Sequence, residues 1–121
     1  MSQDFFCPSY LEIGSGTLNH LPDEARKYGK NVLVVMDPFF RDSALQKRIG
    51  EMLEDKELTY YFDVKPNPRD DDINNGAALA ASKKAELIIA VGGGSAIDTA
   101  KAINIVSTNG ATAWDYVKRS N

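Results

Sequence analysis

Apolar residues fall along this chain in two alternating rhythms. Leu87-Ile-Ile-Ala-Val91 and Asn31-Val-Leu-Val-Val-Met36 are short runs with almost no polar interruption, the pattern of strands covered on both faces of a parallel sheet. Residues 58–64, rich in Tyr and Phe, predict a third strand. Between the strands, apolar positions recur at helical spacing. Leu45, Ile49 and Met52 or Leu53 share one face over residues 41–56. A helix over 70–84 carries Ala77, Ala78, Ala80 and Ala81, small enough for close packing on a sheet, and Asp70, Asp71 and Asp72 put negative charge where its macrodipole favours it. Residues 5–13 read as an extended opening segment, an edge strand interrupted at Pro8. Gly14 and Gly16 then make a turn into a short helix that carries His20. Residues 107–121 are polar and turn-rich, anchored by Trp114 and Tyr116. Strands alternate with helices over connections of βαβ length, which predicts an α/β fold: a Rossmann-like parallel sheet with helices on both faces.

The stretch after the last strand has the most chemistry. Gly92-Gly93-Gly94-Ser95 removes every Cβ from a strand-to-helix turn, so backbone can take positive φ and come close to a ligand. Ser95 reads as the N-cap of a helix on which Ile97, Ala100 and Ile103 recur. One glycine suffices for a tight turn, and three give up backbone entropy with no packing return. A helix N-terminus bared in this way offers free N–H donors and partial positive charge, which is a phosphate site. No Gly-Lys-Ser/Thr follows, so it is not a P-loop, and the spacing is not Gly-x-Gly-x-x-Gly.

Three polar residues surround this turn in sequence logic, each with two readings. Asp37 stands at the C-terminal end of a buried strand, where ligands gather in open α/β sheets. It can accept from a ribose and repel a 2′-phosphate, or it can cap the Asp-Pro turn that follows. Asn67 lies between Pro66 and Pro68, in a rigid loop where its amide can meet an adenosine or cap the turn. Asp98 lies one turn into the last helix, where a carboxylate is stabilising by itself and Lys101 is an i,i+3 partner.

Composition narrows the classes. At 121 residues, 43% hydrophobic and 26% charged, the chain is at most one soluble domain. A net charge of −3 gives no electrostatic reason for nucleic acid or an anionic membrane as partner. The single cysteine, Cys7, rules out an internal disulfide and fits a reducing compartment. No apolar run approaches the ~20 residues of a membrane span, and residues 1–6 lack a secretion signal. Cytoplasm is the expectation. One His and one Cys fall short of any zinc ligand pattern or His-based nucleophile arrangement.

The string from Gly92 to Lys101, Gly-Gly-Gly-Ser-Ala-Ile-Asp-Thr-Ala-Lys, resembles the signature of the iron-dependent (group III) alcohol dehydrogenases. The triple glycine and later Asp are shared with a wider superfamily that includes glycerol dehydrogenase and dehydroquinate synthase. The resemblance implies a dehydroquinate synthase-like N-terminal domain that binds NAD. In that family an Asp at the position of Asp37 is associated with NAD over NADP, and the asparagine of a Pro-Asn-Pro, here Asn67, contacts the cofactor. Gly93, Gly94 and Ser95 would cradle the pyrophosphate, and Asp98 would lie near the nicotinamide. The family's metal, iron or zinc, is held by one Asp and three His in a helical C-terminal domain. With His20 as its sole histidine, this sequence cannot supply that set.

Residues 1–121 are therefore expected to be the N-terminal dinucleotide-binding domain of a longer enzyme. They would hold no catalytic or metal-binding residue and would be inactive alone. The parent would transfer hydride between NAD(H) and a primary or small secondary alcohol or aldehyde, as a homo-oligomer. The alternatives are a glycerol dehydrogenase or maleylacetate reductase-type relative, or a stand-alone nucleotide-binding module without catalysis.

Overall fold

The computed structural model describes residues 9–13 and 21–109. Cys7, the turn at Gly14 and Gly16, His20, Trp114 and Tyr116 lie outside the described residues. The elements are β1 (Ser9–Ile13), α1 (Leu21–Ala25), β2 (Asn31–Met36), a 3-10 turn (Pro38–Phe40), α2 (Ala44–Met52), β3 (Glu57–Tyr61), α3 (Asp70–Ser82), β4 (Leu87–Val91) and α4 (Gly94–Asn109).

The strands form one parallel sheet in the order β1-β4-β2-β3. The two unbroken apolar runs are the two central strands, and every residue from Val32 to Met36 and from Leu87 to Val91 is at most 1% exposed. β3 is an edge strand and is buried fully only at Tyr61, which is why its sequence mixes Glu, Thr and Tyr. The connections from β1 to β2 and from β2 to β3 advance one way across the sheet, and that from β3 to β4 runs back. With crossovers of one hand, that reversal moves the helices to the opposite face. Accordingly Val32, Val34, Met36, Leu87 and Ile89 pack with residues of α1 and α2. Leu33, Val35, Ile88 and Ala90 pack with α3 and α4.

Several boundaries differ from the sequence reading. β3 ends at Tyr61, because Phe62 leaves the ladder while its ring still stacks on Tyr60 at 5.7 Å. The helix expected over 41–56 is shorter, α2 starting only after Ser43 caps it by accepting from the Gln46 N–H at 3.2 Å. Helix α3 ends at Ser82, and α4 continues through Ser107 to Asn109, where a turn-rich stretch was expected. Of the four alanines on α3, Ala77 and Ala80 are buried and Ala78 and Ala81 exposed.

Gly76 completes the inner face of α3. A Cβ there would lie 2.3 Å from Ile103 Cδ1 and 2.9 Å from its Cγ1, so this glycine sets how closely α3 and α4 approach. Ile103 is fully buried within the core cluster between the sheet, α3 and α4. Gly76→Ala gains about 1 kcal/mol of helix propensity against an overpacking cost of about 1–3 kcal/mol. The expected outcome is a lower urea midpoint, with part of the loss recovered when Ile103→Val removes the clashing methyl. An unchanged midpoint would show that α3 shifts freely.

Candidate functional site

The reversal of winding falls between β2 and β4, and there the loops leaving the two strands diverge, the arrangement that opens a crevice in α/β sheets. Two of the sequence-flagged groups meet at this point. The Asp37 N–H donates to the Val91 carbonyl at 3.1 Å, extending the β2–β4 ladder by one bond. Gly92 follows with φ +129°, and a Cβ on it would stand 2.9 Å from Asp37 Cβ and 3.3 Å from Ala96 Cβ. Glycine is therefore required here by the fold itself.

Gly93 and Gly94 differ. Both are exposed, and a Cβ added to either meets nothing within 4 Å. Helix α4 starts at Gly94, one residue before the expected cap. The Gly93 carbonyl accepts from the N–H groups of Ala96 and Ile97 at 3.1 and 3.2 Å, so Gly93 and not Ser95 caps the helix. The correction has a simple cause: glycine is itself a favoured N-cap, so the helix can begin before Ser95 with the Gly93 carbonyl accepting its first bonds. Ser95 becomes a half-buried first-turn residue. Among the described residues, no backbone carbonyl takes the N–H of Gly93, Gly94 or Ser95. These donors and the positive end of a 16-residue helix converge on bare surface.

Asp37 is half-buried, and its Oδ1 accepts from the Phe39 N–H at 2.9 Å, capping the 3-10 turn. That is the capping role weighed from sequence, and it leaves acceptor capacity on the carboxylate. Phe39 itself is 83% exposed. Asn67 is exposed and held at φ 55° in the loop leaving the same end of the sheet from β3. The loops after β2 and β3 touch where the Arg41 guanidinium lies 4.8 Å over the Phe62 ring. Asp98 is exposed on α4, and no contact joins it to Asp37 or to the glycines. A depression of about 410 Å³ opens between the N-terminus of α2 and Tyr60, lined by Asp42, Ser43, Gln46 and Lys47 among others. It does not include the glycine turn, where Gly93 and Gly94 are exposed.

The sequence reading missed one residue. In sequence Asp72 reads with Asp70 and Asp71 as a dipole-complementing trio, but Asp72 alone of the three is buried, at 6% exposure. Its Oδ2 accepts from the Arg69 N–H at 3.2 Å and its Oδ1 from Lys65 Nζ at 3.2 Å. This is one half of a capping box, and because Arg69 stands where Ser or Thr would signal the motif, the sequence conceals it. The Arg69 N–H, and after it Lys65, hold the Asp72 carboxyl below the usual carboxylate range, while Asp72 and then Asp63 raise Lys65. Tyr61 donates its hydroxyl proton to the Asp72 carbonyl, and burial, with Asp63 and Asp72 nearby, pushes its phenol up to about 12.

The described residues hold no group of three or more His, Cys, Asp or Glu that could bind a metal ion. No helix among them is long and apolar enough to cross a membrane.

The family model for iron-containing alcohol dehydrogenase matches residues 8–121. The probable NADH-dependent butanol dehydrogenase 1 of Bacillus subtilis is 35% identical over 97% of this chain and 31% of its own length. NADH-dependent butanol dehydrogenase A of Clostridium acetobutylicum is 30% identical over 98% of this chain and 31% of its own. Among solved structures, sulfoacetaldehyde reductase from Bifidobacterium kashiwanohense in complex with NAD+ superposes with a TM-score of 0.74 at 26% identity, covering 96% of this chain and 31% of that one. The chain thus spans about a third of the length of the relatives it matches.

The three glycines can be told apart by substitution. Gly92→Ala, strained in φ and pressed on Asp37, is expected to destabilise the fold by about 1–3 kcal/mol. Gly94→Ala should leave the melting temperature within about a degree or two, and Gly93→Ala should cost no more than a weakened helix cap, about 1 kcal/mol. Thermal unfolding followed by circular dichroism checks this, and a large drop for Gly94→Ala would mean that the fold, not a ligand, demands that glycine.

Proposed function

The chain belongs to the iron-containing alcohol dehydrogenase family, and from that premise we propose that it forms the NAD-seating part of an alcohol dehydrogenase. The carrying observation is the pair Gly93 and Gly94: among the described residues a Cβ at either would meet nothing within 4 Å and no backbone carbonyl takes their N–H groups, at a helix N-terminus. A space that a Cβ would enter without touching the chain is what close approach of a pyrophosphate needs. The residues present therefore fit the dinucleotide.

In this reading the N–H groups of Gly93, Gly94 and Ser95 bind the pyrophosphate, with the α4 dipole adding positive potential. Asp37, its Oδ1 already fixed by Phe39, presents its remaining lone pairs to the ribose hydroxyls and repels a 2′-phosphate. Asn67, on the neighbouring loop, offers its amide to the adenosine side. Asp98, further along α4, faces the nicotinamide end and orients it. Bound NAD(H) supplies or accepts the hydride exchanged with a small alcohol or aldehyde. The described residues do not fit a metal, and no step is assigned to one. Self-association of the whole protein and a cytoplasmic location complete the proposal; both sheet edges, β1 and β3, have an unpaired side among the described residues.

The test is a titration of the chain with NAD and NADP. Gly94→Ala is expected to weaken NAD at least about tenfold with an unchanged melting temperature. Asp37→Ser should move the NADP-to-NAD affinity ratio toward NADP by about tenfold, the size of one relieved charge contact near the surface. Equal NAD affinity in wild type and Gly94→Ala would remove the pyrophosphate assignment, and an unaltered ratio in Asp37→Ser would remove the ribose assignment.

A further inference from the structure

We propose that Asp72 is a positioning residue for the dinucleotide, acting through the loop that carries Asn67. This inference rests on the reading of Asn67 given above. The loop between β3 and α3 pairs little of its own backbone among the described residues, the Val64 N–H donating to the Phe62 carbonyl. Pro66 and Pro68 lack N–H groups, and Asn67 between them stands at φ 55°, a conformation that asparagine tolerates but does not prefer strongly. Such a turn is held by its ends.

Asp72 holds both ends. One carboxylate oxygen takes the Arg69 N–H, just after Pro68, and the other takes Lys65 Nζ, just before Pro66. Its backbone carbonyl takes the hydroxyl of Tyr61, the last residue of β3, which roots the clamp in the sheet. Lys65 is shared with Asp63 at 3.3 Å, so the cation is drawn against the loop from two sides. Complementing the helix dipole does not account for this arrangement. Asp70 and Asp71 serve the dipole while half-buried and exposed respectively, whereas a buried carboxylate is tolerated only because it is hydrogen-bonded. What Asp72 adds beyond its neighbours is the fixed geometry of residues 65–69.

A double-mutant cycle on NAD binding tests this, using the chain, Asn67→Ala, Asp72→Ala, their combination, and Asp72→Asn. Asn67→Ala is expected to weaken NAD roughly fivefold, the scale of a lost hydrogen bond. Asp72→Ala should weaken it by a similar factor, and the combination should be no weaker than Asn67→Ala alone, because the two changes remove one contact. Asp72→Asn, whose amide oxygen can still accept from the Arg69 N–H but whose NH2 cannot accept from Lys65, should recover part of the affinity, to a level between Asp72→Ala and the unaltered chain. If Asp72→Ala proves too unstable to titrate, Lys65→Met takes its place in the cycle, with the same non-additivity expected. Independent, multiplying losses would overturn the proposal, as would full NAD affinity in Asp72→Ala or Lys65→Met beside a weakened Asn67→Ala. Full affinity in Asn67→Ala would instead overturn the Asn67 reading, and the proposal with it.

Discussion

The site depends on one close approach, that of the end of β2 to the turn after β4. The Asp37 N–H reaches the Val91 carbonyl, and the next residue of β4's turn has to pass the Asp37 side chain with no room for a Cβ. Gly92 makes this possible twice over, by its missing side chain and by a φ that L-residues rarely adopt. Without it the first turn of α4 could not lie against Asp37, because the same missing Cβ also clears Ala96. A carboxylate and a helix N-terminus, separated by more than fifty residues of sequence, are thereby held side by side. The topology supplies the place, since only between β2 and β4 does the winding reverse. The glycine supplies the contact.

Much of this was legible before any coordinates. The two runs that lack polar residues became the two central strands, because a strand covered on both faces has no position for a polar side chain. The triple glycine and Asp37 could be assigned to strand ends on the same logic. What stayed hidden shares a cause: it depends on differences between residues that look alike in sequence. Ala77 and Ala80 face inward and Ala78 and Ala81 outward, and composition cannot separate them. The inner face is set by Ile73 and by Gly76 against Ile103. Asp70, Asp71 and Asp72 read as one acidic run, yet only the third turns under the helix. Phe62 continued the apolar pattern of β3, but its ring packs on Tyr60 and under Arg41 after the backbone has left the sheet. Apolarity there marked side-chain packing and not ladder pairing.

The two loops at the C-terminal edge reach order by different means. After β2, a short 3-10 turn is closed by Asp37 and Phe39, and the Ser43 cap then fixes where α2 begins. After β3, two prolines forbid regular pairing, and a half-buried ionic contact replaces it. Arg41 over Phe62 links the two. A surface built in this way is stiff without being part of the sheet, which suits a ligand that must be gripped along its length. Preorganised groups spend less of the binding energy on ordering.

The distinction among the three glycines carries the functional argument furthest. A glycine has a cost in backbone entropy wherever it sits, so its presence needs a reason. For Gly92 the reason lies inside the molecule, in Asp37 and Ala96. Gly93 is the N-cap, where glycine is itself favoured over alanine; for Gly94 no reason lies inside the described structure, since alanine would fit there and has the better helix propensity. A small residue that the described packing leaves unexplained is what the proposed ligand contact would account for. Here that space adjoins amides with no carbonyl partner, at the positive end of a helix, at the crevice of an α/β sheet. An anion brought close to the backbone is the occupant that all three conditions share.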